Sequence, residues 1–160
     1  MKFAKHLIFI LFLISICLLV MNVGFAKDNI TFEEHDFDSY FKMKIPKGII
    51  FEKKEGIPSK NINRTINYKN ETKNINIVYT ESIGAKEDLL KYYEEIAEND
   101  KNISLNTTNN TTLIHVNGEN IIGETNYHDL AIIGNNDRYI LMQCDNETIM
   151  KSMANSVKFK

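Results

Sequence analysis

Apolar residues recur at every second position in one stretch of this chain after another, and side chains that alternate in this way lie on the two faces of an extended strand. From Phe37 to Ile45, Phe37, Phe41, Met43 and Ile45 share one face, while Asp38, Tyr40, Lys42 and Lys44 share the other. The pattern predicts one half-buried strand over 37–45. Pro46-Lys47-Gly48 ends it, because proline has no ladder N–H and glycine relaxes the backbone. Ile49-Ile50-Phe51 then opens a short second strand. Ile62, Arg64, Ile66 and Tyr68 alternate next, followed by Ile75, Ile77 and Tyr79, with the polar stretch 69–73 between them. This is the pattern of a hairpin.

The period changes over 85–98. Ala85, Leu89, Tyr92, Tyr93 and Ile96 fall on one helical stripe, with Lys86, Glu87, Lys91, Glu94 and Glu98 off it. Strand patterning then resumes. Asn117-Gly118 between 111–116 and 119–122 predicts a tight hairpin, since both residues tolerate the positive φ such turns need. A second pair, 128–133 and 138–144, flanks Gly134-Asn135-Asn136-Asp137 and is apolar on both faces, as in central strands covered on both sides. Counting back from that turn pairs Ile133 with Arg138 and His128 with Gln143. Asp145 is placed to start a last helix with Ile149, Met150 and Met153 inward. Strands, a helix, more strands and a helix make an α+β domain with an antiparallel sheet and two principal helices.

The first 26 residues carry a different signal. Lys2 and Lys5 precede an apolar run from Leu7 to Met21, and Gly24-Phe25-Ala26 places small residues before a cut at Ala26–Lys27. That is the layout of a secretory signal peptide, leaving 27–160 as a single extracytoplasmic domain, secreted or at the cell surface. The alternative is an uncleaved membrane anchor, which faces the domain outward all the same. Cys17 follows Ile16, where a lipid-attachment motif wants a small residue. Past the signal, Cys144 is the one cysteine, so no internal disulfide holds the domain and its core must.

The formal net charge is −2, and Arg64 and Arg138 are the only arginines. No basic stripe exists, which excludes the usual footprint of a nucleic-acid binder. Asparagine is abundant, and its placement is informative. Asn29, Asn63, Asn70, Asn102, Asn106, Asn109, Asn110 and Asn146 all fit the N-x-S/T acceptor motif, against about two expected by random placement. In an exported chain these are candidate N-glycosylation sites.

Two stretches are similar to the PsbP-like fold of small exported or accessory proteins. Phe41-Lys42-Met43-Lys44-Ile45-Pro46-Lys47-Gly48 resembles that family's early strand and Pro-x-Gly turn. Tyr139-Ile140-Leu141, a short helix and Ser156-Val157-Lys158-Phe159 resemble its ending. Ile49 stands where such proteins often place tryptophan. The resemblance implies the fold over 36–160 and a binding or assembly role. It carries no functional residue onto this chain.

The sequence contains no G-x-S-x-G, H-E-x-x-H, C-x-x-C, P-loop or G-x-G-x-x-G motif. Cys144 as a nucleophile would need a neighbouring base, and the register above puts His128 on the opposite face, so Cys144 is expected in the core. His115 alternates out of phase with Ile114 and Val116, on the more polar face, and neither His115 nor His128 has ligand spacing around it. Glu34, Asp36 and Asp38 share a face if extended and could hold Ca²⁺, although charge on an edge strand also serves to discourage pairing. Tyr92 and Tyr93 are expected to pack on the sheet. The reading is therefore a non-catalytic exported domain, without cofactor or metal, that binds a protein, glycan or envelope component. The alternatives are a small-ligand carrier with an apolar cavity between sheet and helix, or an enzyme with a nonstandard site.

Overall fold

A single aspartate splits the first strand. Asp38 adopts φ 54, and Tyr40 N–H donates back to the Phe37 carbonyl at 3.2 Å. The expected strand over 37–45 is thus the turn and second arm of a hairpin, β1 (Phe32–Phe37) and β2 (Phe41–Pro46). Alternation could not reveal this break. Phe37 and Phe41 are four apart, so they share a face in an extended chain, and they also share one as cross-strand partners. Their rings stack at 4.6 Å.

The computed structural model describes residues 30–59, 61–116 and 129–160. The expected signal segment with Ala26 and Lys27, the sequon at Asn29, the expected Asn117-Gly118 turn with 119–122, and His128 all lie outside the described residues. Among the described residues, no helix is long and apolar enough to cross a membrane.

After the turn at Gly48 (φ 80), the second strand begins later than expected. Ile49 is buried but Ile50 is 84 % exposed, and β3 is Glu52–Glu55, whose ladder opens with Glu52 opposite Lys69. The next hairpin forms as the pattern predicts, from β4 (Ile62–Asn70) and β5 (Ile75–Ser82). Helix α1 (Ala85–Asn99) follows Gly84, which takes φ 76. Then come β6 (Ile103–Thr108), β7 (Thr111–Val116), β8 (Asp129–Gly134), β9 (Arg138–Cys144), α2 (Glu147–Ala154) and β10 (Lys158–Phe159).

Among the described residues, seven strands form one sheet in the order β3-β4-β5-β9-β8-β7-β6, and β1-β2-β10 form a second, every ladder being antiparallel. The α+β class with an antiparallel sheet and two helices is what the sequence predicts. Alternation along β9 sorts the core into two layers. Ile140, Met142 and Cys144 face Phe37, Phe41, Met43 and the α2 residues Met150 and Met153. Tyr139 and Leu141 face the other way, toward Tyr93 and Leu89 of α1. The large sheet is therefore covered on one face by the small sheet with α2 and on the other by α1. Strand β8 is buried along its whole length, as its double-sided apolarity requires.

Two corrections concern strand pairing. Strand β7 pairs with β6 and β8, and β6 itself escapes the hydrophobic pattern, because an edge strand rich in Ser, Asn and Thr buries little beyond Ile103. The β8–β9 register slides by two residues from the expected one: Ile133 opposes Ile140, and Asp129 opposes Cys144. The turn is centred on Asn136-Asp137, since Gly134 extends the ladder to Tyr139 and the Asn135 carboxamide oxygen accepts from Asp137 and Arg138 N–H. Gly134 has φ 127, and a Cβ there would strike the Arg138 carbonyl and the Tyr139 backbone.

Candidate functional site

The corrected register aligns His115, Asp129 and Cys144 across β7, β8 and β9, so cross-strand pairing puts them on one face. His115 Nδ1 lies 2.5 Å from Oδ1 of Asp129, a side chain only 5 % exposed. Cys144 is fully buried; burial pushes its thiol up, and its sulfur exchanges contacts with the backbone of Asn146. The row does not make a nucleophile. A thiolate needs a neighbouring base or positive charge, and here a carboxylate stands between thiol and imidazole. Cys144 packs in the core cluster, as its strand position predicts.

The acidic cluster does not converge on a common point. Glu34 faces Lys42 and Lys158, while Asp36 accepts from Lys160 Nζ at 2.7 and 2.8 Å. Asp38 leaves the strand face for the turn, where it accepts from Tyr68 at 2.7 Å and pairs with Lys53. The Lys160 hydrogen bond holds Asp36 below the usual carboxylate range, and the Tyr68 and Lys53 bonds do the same for Asp38. Among the described residues, no three His, Cys, Asp or Glu side chains group as metal ligands.

The two tyrosines of α1 separate. Tyr93 packs with Ile114 and Leu130, but Tyr92 is 49 % exposed, which corrects the expectation that both lie in the core. Neighbouring helical residues point about 100° apart, so a helix at the margin of the sheet buries one and not the other. Lys86 shows the reverse. Assigned to the polar side of α1, it is 8 % exposed, and its ammonium donates to the Gly134 carbonyl at 2.5 Å and to the Asn110 carbonyl at 3.4 Å. Burial lowers its pKa. The long aliphatic stem lets a lysine enter an apolar layer and deliver its charge to carbonyls beyond it.

Those two carbonyls belong to adjacent turns, which Gly134 N–H also joins through the Asn110 carbonyl at 3.0 Å. Beside them, on the sheet face opposite α1, lies a cleft of about 590 Å³. It exists because α2 and the small sheet cover the centre of the large sheet and stop short of its β6–β7 margin. Leu113, Ile133, Ala154, Val157 and Phe159 line the apolar floor. Asn106, Thr108, Asn109, Asn110, Asn135 and Asn155 supply amides and hydroxyls around it. Arg138 is the charged lining residue among those described, and its guanidinium donates to the Lys160 carbonyl at 3.0 Å.

The structure brings three sequons to this cleft. Asn106 lies on β6, and Asn109, at φ 53, and Asn110 form the β6–β7 turn; all three are exposed. The others lie apart. Asn63 and Asn102 are exposed on β4 and before β6. Asn70 is half-buried and donates to the Ile50 carbonyl, and Asn146 caps α2 by accepting from Ile149 N–H. The density of Asn and Thr over 106–112 signals this cluster in the sequence. The cleft itself has no such signal, because it arises where the outer layer ends. The chain matches no protein-family model, no curated protein and no solved structure.

Proposed function

We propose that this chain is an exported, non-catalytic domain of PsbP-like fold that binds a glycan of the cell envelope in the cleft between the β6–β7 margin, the β8–β9 turn and the end of α2. The observation that carries the reading is the cleft's composition: amides and hydroxyls around an apolar floor. Sugars present hydroxyls that both donate and accept, which carboxamides match, and C–H faces that settle on apolar and aromatic surface. The cleft volume falls within the range of small-ligand sites, about 300–1,000 Å³.

The non-catalytic part rests on the same lining. Among the described lining residues there is no Asp, Glu, His, Cys or Lys to move a proton, and an arginine stays protonated. Export is supported by the Lys2–Ala26 layout, and the fold assignment by the strand–turn at Phe41–Gly48 and the β9–α2–β10 ending. Tyr93, Leu130 and Ile132 pack beneath α1, and the space of about 320 Å³ between Glu94, Ala97 and Glu98 of the helix and Leu105 of β6 is an open groove, which favours the surface cleft over a carrier cavity enclosed between sheet and helix.

Titration of the ¹⁵N-labelled protein with short neutral oligosaccharides tests the reading. Amide shifts are expected over 106–113 and 133–138, and the double substitution Asn106→Ala/Asn155→Ala should weaken binding about tenfold, the loss of one or two hydrogen bonds. Shifts confined to the α1 side, or none at all, contradict it.

A further inference from the structure

We infer that the cleft is controlled by modification of its own rim: N-glycosylation of Asn109 places a tethered glycan in the cleft and closes it to other ligands. The inference rests on the reading of the cleft as a glycan site and adds its regulation.

The structure separates Asn109 from the other described sequons: Asn106, which lines the cleft together with Thr108 of its motif, lies within strand β6 opposite Leu113, whereas Asn109 lies in a surface turn of the kind such acceptors occupy. Asn109 stands at the head of the β6–β7 turn, exposed, with its side chain at the cleft wall. Its motif hydroxyl, on Thr111, lines the same cleft. The hydroxyl serving Asn110 belongs to Thr112, which is 2 % exposed and bonded to Thr107 Oγ1 at 3.1 Å. Asn70 and Asn146 use their side chains to hold a turn and a helix end, accepting from Lys73 N–H and Ile149 N–H. Asn63 and Asn102 are exposed but do not line the cleft.

The donor is a lipid-diphosphate-linked oligosaccharide acted on by a separate transferase. Asn109 Nδ2 bonds to the sugar C1 and the C1–oxygen bond to the diphosphate breaks. The lipid diphosphate leaves with that electron pair, and one amide proton passes to the transferase's base or to water. No oxidation state changes. A ligand attached at the wall by a short linker acts at an effective concentration of about millimolar, so it outcompetes a free glycan of ordinary weak affinity.

The test uses Asn155→Cys, a thiol on the far wall of the cleft, in the full chain exported from a glycosylating host. Peptide mass should show a glycan on Asn109. Maleimide labelling at position 155 should be about tenfold slower than after enzymatic deglycosylation, because thiol reaction requires access. Thr111→Val removes the Asn109 motif, keeps a β-branched strand residue, and should restore fast labelling without deglycosylation. An unmodified Asn109 overturns the inference, as does a modified Asn109 with unchanged labelling. Oligosaccharide titration of unmodified chain from a non-glycosylating host tests the glycan-site reading separately, so the two failures are distinguishable.

Discussion

Lys86 in the first turn of α1 donates to the carbonyl oxygen of Gly134 at the end of β8, 2.5 Å away. The bond crosses from the helix to the turn that borders the cleft on the opposite face of the sheet. Hydrogen bonds from charged donors contribute about 1.5–3 kcal/mol, so Lys86→Ala should destabilise the domain by roughly that amount in urea unfolding. Because burial lowers the Lys86 pKa, the unfolded chain holds this proton more tightly. Wild-type stability should therefore gain a rising component between the folded pKa and the ordinary 10.5 that the variant lacks. Equal slopes for the two proteins would contradict this.

Gly134 itself admits no side chain. Its φ of 127 and the backbone facing the would-be Cβ predict that Gly134→Ala costs about 3 kcal/mol, the upper range for enforced backbone strain. Thermal unfolding measures it. A loss below about 1 kcal/mol, typical of an ordinary surface change, would show that the turn accommodates the methyl group.

The Asp36–Lys160 contact sets an acid limit. The Lys160 hydrogen bond lowers the folded pKa of Asp36, and the Tyr68 bond lowers that of Asp38, each from an ordinary 3.8. Stability from these carboxylates is fully present above that value and fades as pH falls through the lower folded values. Lys160→Met should return the Asp36 titration toward 3.8, read by NMR, and leave Asp38 held down by Tyr68 and Lys53. An unmoved Asp36 titration would remove Lys160 as the cause.

Cys144 should be silent in the native domain. It is fully buried and burial raises its thiol pKa, so reaction with a thiol reagent should occur only through unfolding and follow the urea transition. Rapid native labelling would contradict its place in the core.

Which parts of this architecture could be read from the sequence follows from how burial writes itself into a chain. Strands β4, β5, β8 and β9 bury one face or both, so Ile66, Ile77, Ile132 and Ile140 recur with a strand's period. Helix α1 is legible for the same reason at its own period. The Asp38 turn is not, because Phe37 and Phe41 keep a common face whether the chain continues or folds back. Strand β6 is hidden because its outer edge needs no apolar side chains. Lys86 is hidden because a charge names only the tip of the side chain, while the stem decides burial. The cleft is hidden for a different reason: it is defined by where α2 and β10 stop, and no residue type encodes that limit. Its rim, the Asn106–Thr112 run, is visible as sequons and acquires its meaning from the two turns joined at Asn110.

The most direct measurement is the oligosaccharide titration followed amide by amide. Binding in the cleft predicts saturable shifts at Asn106, Asn109, Leu113 and Gly134, with the amides of Leu89 and Tyr93 on α1 unchanged. Saturable shifts centred on α1, or a spectrum unaltered at saturating oligosaccharide, would contradict the assignment of the cleft as the binding site.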